Sequence, residues 1–117
     1  MGGNYEEAKM ELRKIIAIIR SRLLEEVEER LKKMDVKGLT VTRVKGYGES
    51  KSIWADDWLG THARIEIFTE KKKADQMATA IVEVAHTGGA GDGIVCILPV
   101  EKIFRIRTKS EIKPDDI

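Results

Sequence analysis

Residues 14–34 read KIIAIIRSRLLEEVEERLKKM, and the hydrophobic period changes part-way through them. The first seven, KIIAIIR, form a near-continuous apolar run with a charge at each end, which fits a central strand buried on both faces. From Leu23 onward Leu23, Leu24, Val27, Leu31 and Met34 recur at helical spacing, while Glu25, Glu26, Glu28, Glu29, Lys32 and Lys33 take the other side. Ser21 is placed to cap this helix, and acids early with lysines late suit the helix dipole. A buried strand therefore feeds an amphipathic helix.

Working outward, Gly38 punctuates and 39–46, LTVTRVKG, supplies alternating β-branched residues for a second strand. Residues 62–69, HARIEIFT, alternate cleanly, with Ala63, Ile65 and Ile67 on one face and Arg64, Glu66 and Phe68 on the other. This third strand is expected to hairpin onto the second. Ala74, Met77, Ala78, Ile81, Val82 and Ala85 mark a second helix over 74–87, ended by Gly88. A fourth strand, IVCIL at 94–98, is bounded by Pro99, and 104–108 is a short fifth. A flexible leader is expected over 1–12, one domain over 13–109 and a polar tail over 110–117.

The order β-α-β-β-α-β is that of the ferredoxin-like α+β fold, an antiparallel sheet with two helices on one face. Two helices cannot cover Ile16, Ile18, Ile65, Ile67 and Val95 together, so an oligomer that buries the second sheet face is expected.

Composition narrows the function classes. The 117 residues make one domain, and 21 Lys and Arg against 20 Asp and Glu leave a formal charge of +1. That balance argues against a nucleic-acid binder driven by bulk charge. Cys96 is the sole cysteine and can form no internal disulfide. No apolar run is long enough to span a bilayer, and the first 13 residues carry acids where a signal peptide needs an apolar stretch. A cytoplasmic location is the expectation.

Motifs for catalysis are lacking, so no enzyme is expected. His86 falls in the last turn of the second helix, where a cation favours the dipole. His62 opens a strand and either contacts a ligand or stands exposed. Cys96, between Val95 and Ile97, reads as a small core residue. The turn Thr87-Gly88-Gly89-Ala90-Gly91-Asp92-Gly93 is either a flexible connector or a nest of backbone N–H groups for an anion. It is no P-loop, because it leaves a helix C-terminus and carries no Lys. Arg105 and Arg107, alternate residues on one strand, add charge that favours the anion reading. Residues 47–61, YGESKSIWADDWLGT, lack periodicity. Their Trp54 and Trp58, four apart, serve either as partner contacts or as loop anchors. No ligand spacing supports a metal site.

Taken with 14–20, the segments VKGLTVTRVKGYG at 36–48, Thr87-Gly88-x-x-Gly91-Asp92-Gly93, Pro99-Val100-Glu101 and Arg105-Ile106-Arg107-Thr108 resemble the PII signal-transduction proteins. The resemblance spans about 13–108, the central loop excepted. It implies a homotrimer of ferredoxin-like subunits, adenine nucleotides bound in clefts between neighbours, and a T-loop, here 47–61, that docks on a transporter or enzyme. Carried over residue by residue, Ile18, Gly38, Leu39, Thr40, Gly46, Tyr47 and Glu66 would surround the nucleoside. Gly48, Thr87, Gly88, Gly91, Asp92 and Gly93 would hold phosphates, and Arg105 and Arg107 would supply charge, in part to a neighbour's ligand.

The chain also departs from that pattern. Ile94 stands where a basic residue usually follows the Gly-Asp-Gly turn, and Glu49-Ser50 replaces an Arg-Gln pair. Each lost charge-assisted bond is worth about 1.5–3 kcal/mol, most of it to a triphosphate, so ADP or AMP is expected over ATP. The glutamine and lysine with which the family holds Mg-ATP and 2-oxoglutarate have no counterparts, nor has the tyrosine it uridylylates. Two alternatives share the fold: a PII-like sensor of another small anion such as bicarbonate, and a CutA-like metal-tolerance trimer.

Overall fold

The computed structural model describes residues 11–44 and 61–117. Four strands form one antiparallel sheet in the order β2-β3-β1-β4: β1 is Leu12–Arg20, β2 Thr40–Val44, β3 His62–Glu70 and β4 Gly93–Val100. Helix α1, Leu24–Lys32, follows a 3₁₀ turn at Ser21–Leu23, and α2 is Lys71–Ala85. A separate ribbon pairs β5, Phe104–Arg105, with β6, Ser110–Glu111. The architecture is the expected ferredoxin-like α+β fold with β1 central, and β3 hairpins onto β2.

Register explains burial. Paired residues share a face, so Ile15 and Ala17 of β1 lie beside Ile67 and Ile65 of β3. All four are essentially inaccessible and pack with Val27, Leu31, Met77 and Ile81 of the helices. The opposite face carries Ile16 and Ile18 beside Cys96 and Ile94, and no helix among the described residues covers it. In a single chain β1 is thus buried on one face only, not on both. For the same reason Cys96 is exposed rather than in the core, and Ile94 and Phe68 remain 63% and 47% accessible.

Several boundaries differ from the sequence reading, each for a local reason. The N-cap position of the first helix falls on Leu23, whose side chain makes no cap bond, and the chain enters the helix through the 3₁₀ turn that Ser21 begins. That helix stops at Asp35, in the left-handed region at φ 60°, with Asp35 N–H donating to Lys32 O and Val36 N–H to Leu31 O. This is the Schellman pattern, formed before Gly38 is reached. Helix α2 begins three residues early because lysine is a good helix former. Glu70, with Lys72 and Lys73 at 3.4 and 3.3 Å, offsets their charge at the dipole's positive end. It ends at Ala85, so His86 lies just past it, in extended geometry. Strand β4 runs through Pro99, tolerated on an edge where one side makes no ladder. The strand expected at 104–108 holds only for Phe104 and Arg105, because 106–109 turn back into β6. The polar tail is ordered by that pairing and by a 3₁₀ turn at Pro114–Asp116.

Gly93 is where sheet geometry excludes a side chain. Its φ is +101°, and an added Cβ would lie 1.7 Å from Ile18 O. A Cβ on Gly38, by contrast, meets nothing within 4 Å. Gly93→Ala is expected to cost more than about 1 kcal/mol and Gly38→Ala to stay within about 0.5 kcal/mol, as read by urea unfolding at matched concentration.

Candidate functional site

The candidate residues fall into two groups at opposite edges of the sheet. The first lines a cleft of about 480 Å³ where the chain enters β2: Gly38, Leu39 and Thr40 meet Glu66 of β3 and Arg105 of β5 there. Ile103, Ile112, Asp116 and Ile117 close the same cleft. The alternation of β3 puts Glu66 on the open face, where Lys14 Nζ and Arg64 Nη2 both reach its Oε1 at 3.0 Å. The Lys14 hydrogen bond, ahead of its charge and of Arg64, holds Glu66 below the usual carboxylate range. Lys14 also lies 5.5 Å from the Phe68 ring centroid. Arg64 Nε is buried without a hydrogen-bond partner among the described residues.

The second group is the glycine turn between α2 and β4. Its centre is Asp92, whose Oδ2 accepts the Thr87 and Gly88 N–H groups at 2.8 and 2.9 Å. Its Oδ1 accepts the Thr87 hydroxyl in a short hydrogen bond and Arg20 Nε at 3.3 Å. These bonds, led by that from the Thr87 side chain, hold the Asp92 carboxyl far below its ordinary value. Gly89 N–H in turn donates to Thr87 Oγ1 at 3.1 Å. The turn is therefore stapled shut from inside, with the N–H groups of Thr87, Gly88 and Gly89 already used. His86 Nδ1 lies 3.8 Å from Asp92 Oδ2, on an exposed side chain. On the helix side a small cavity of about 190 Å³, lined in part by Val82, His86, Asp92 and Ile94, adjoins the turn.

Ile18 sits between the two groups, half-buried on the open face and paired with Ile94 and Arg64. Three strand spacings of about 4.8 Å separate β2 from β4, so the cleft and the turn lie at opposite edges. Arg105 and Arg107 do not share a strand: Arg105 is in β5 and lines the cleft, whereas Arg107 is exposed in the ribbon's turn and lines no part of it. Gly46, Tyr47, Gly48, Trp54 and Trp58 lie outside the described residues. Residue types alone did not single out Lys14, Arg64 or Arg20; only register shows that they meet Glu66 and the turn. His62 is engaged rather than free, with Nε2 2.8 Å from Gly91 O and Nδ1 2.9 Å from Thr61 Oγ1. Among the described residues no group of His, Cys, Asp and Glu could hold a metal ion, and no helix is long and apolar enough to cross a membrane.

The chain is similar to known proteins. The family model described as Nitrogen regulatory protein P-II matches residues 12–110. Over 105 residues the chain is 38% identical to the nitrogen regulatory protein P-II of Azospirillum brasilense, covering 83% of this chain and 93% of that protein. It is 37% identical over 105 residues to its namesake in Cyanidium caldarium, covering 84% and 93%. The crystal structure of Arabidopsis thaliana PII bound to citrate superposes with a TM-score of 0.74 at 29% identity, covering 89% of this chain and 88% of that one.

The Asp92 staple has a pH consequence. Its folded-state pKa lies below that of the unfolded chain, about 3.9 for Asp, so its stabilisation is complete above that value and is lost as pH falls further. Asp92→Asn is expected to be less stable than wild type at pH 7, with the gap narrowing below about pH 4. Urea midpoints measured from pH 7 down to pH 2 check this; a gap that stays constant contradicts it.

Proposed function

The chain belongs to the P-II family of nitrogen regulatory proteins, and on that premise we propose that it is a cytoplasmic regulator rather than an enzyme, working as a homotrimer. It binds an adenine nucleotide, ADP or AMP in preference to ATP, between subunits, and controls a protein partner, a transporter or an enzyme, through the loop at 47–61.

The observation that carries this reading is the separation of the candidate residues into two half-sites on opposite edges of the sheet, whose second face no described helix covers. A nucleoside-sized cleft with Glu66 and Arg105 lies at one edge, and a glycine turn suited to phosphate at the other. A second copy, brought in by the apolar face of Ile16, Ile18, Ile94 and Leu98, would set one half-site against the other's complement. Arg107, outside its own chain's cleft, would then reach the neighbour's ligand. Trp54 and Trp58 are the partner-facing candidates within the loop.

The preference for fewer phosphates follows from charge. Ile94 at the exit of the turn contributes none, and Glu49 adds an acid to the loop. A second reading, a sensor of a small carboxylate or bicarbonate anion, draws on the citrate of the Arabidopsis PII structure. The metal-tolerance reading gains no such support.

Calorimetric titration with ADP, AMP and ATP tests the nucleotide reading, with bicarbonate added in a parallel series. Arg105→Ala and Arg107→Ala are each expected to lose about 1.5–3 kcal/mol of ADP affinity, roughly 10- to 100-fold, while sedimentation still reports a trimer. Tryptophan emission, which here comes only from the 47–61 loop, is expected to change on adding ADP. Wild-type ADP affinity in both arginine variants, or a monomer in dilute buffer, contradicts the proposal.

A further inference from the structure

We propose that His62, together with Arg20, is a positioning residue of the phosphate site: Arg20 holds the Ala90 carbonyl so that the Gly91 N–H faces a ligand, and His62 holds the Gly91 carbonyl so that the Asp92 N–H closes the turn on Gly89 O and keeps that shape. The inference rests on the nucleotide reading above and deepens it.

Arg20 and His62 are directly paired across β1 and β3, so both side chains leave the open face at the same end of the sheet. Arg20 Nη2 donates to Ala90 O at 2.6 Å, and His62 Nε2 contacts Gly91 O at 2.8 Å. A trans peptide sets the carbonyl of one residue opposite the N–H of the next. Holding Ala90 O against Arg20 therefore aims the Gly91 N–H away from the sheet. Holding Gly91 O against His62 aims the Asp92 N–H the other way, where it donates to Gly89 O at 3.3 Å. Among the described residues no acceptor meets the Ala90 or the Gly91 N–H, whereas those of Thr87, Gly88, Gly89 and Asp92 are all taken. Two consecutive N–H groups left open in a turn whose Gly91 has φ +97° form an anion nest.

A carbonyl can only accept, so Nε2 must carry the ring proton. A hydroxyl can donate to a bare Nδ1 or accept from a protonated one, so the Thr61 Oγ1 contact with Nδ1 is compatible with a proton on Nε2.

The test compares wild type, His62→Leu and His62→Gln by calorimetry with ADP, inorganic pyrophosphate and adenosine, and reads the wild-type imidazole nitrogens by NMR. His62→Leu is expected to weaken ADP and pyrophosphate roughly fivefold to tenfold, the scale of one lost hydrogen bond, and to leave adenosine unchanged. His62→Gln, whose amide can still donate to Gly91 O, restores most of that loss, and the neutral wild-type ring carries its proton on Nε2. ADP binding that His62→Leu leaves unchanged, adenosine weakened as much as ADP, or a neutral ring protonated on Nδ1 overturns the role of His62 alone. A wild-type chain that binds neither ADP nor pyrophosphate overturns the nucleotide reading and this role with it. The NMR arm needs no variant to fold.

Discussion

Both helices pack on the same side of the sheet, and the rest of the molecule is organised by that asymmetry. Ile15, Ala17, Ile65 and Ile67 meet Val27, Leu31 and Ile81 on that side and are fully withdrawn from water. The same alternation delivers Ile16, Ile18, Ile94 and Leu98 to a surface that neither described helix covers. Burial at about 25 cal/mol per Å² of apolar area favours closing such a surface. A second copy of the same face is the partner we propose for it. The polar groups on that surface, Lys14, Arg64 and Glu66, are already paired with one another. They can therefore enter an interface without leaving Glu66 as an isolated buried charge.

The glycine turn is held in shape largely by its own internal bonds. Asp92 takes up the first N–H groups of the turn and fixes them to Arg20, and Gly93 is pressed so close to Ile18 that no side chain fits. Arg20 and His62 hold the Ala90 and Gly91 carbonyls, and the Asp92 N–H closes the turn on Gly89 O. A turn built this way is preorganised: the ordering cost is met in folding rather than at the moment a ligand arrives. Family motifs pointed to Asp92 as a group for the ligand, but its carboxylate is engaged in shaping the turn.

Much of the fold was legible because it rests on period and punctuation. The switch from KIIAIIR to a helical pattern, the clean alternation of HARIEIFT and the small-residue stripe of the second helix each carry a local signal strong enough to name their element. Boundaries were less legible because competing local groups decide them: Asp35 stops α1 before Gly38 can, Glu70 lets three lysines begin α2, and an edge position lets β4 pass through Pro99. The site was legible in part. Gly38, Leu39, Thr40, Glu66 and Arg105 are gathered around one cleft, whereas Arg107 is carried off by a turn that alternation alone could not reveal. Lys14 and Arg20 were read as the charges bounding a strand, Arg64 as part of a strand's second face, and His62 as either a ligand contact or an exposed side chain, because nothing in a linear chain says which strand lies beside which.

By itself the sequence determined the element types, their order, the α+β class and the presence of more apolar strand surface than two helices can hide. These follow from local propensity and periodicity, which each segment carries with it. Only the tertiary structure decided which residues became neighbours: that Arg20 and His62 stand side by side over consecutive carbonyls, that Glu66 is held by two cations, and that Cys96 faces outward. Those outcomes depend on strand register, and a shift of one residue would have turned every such side chain to the opposite face.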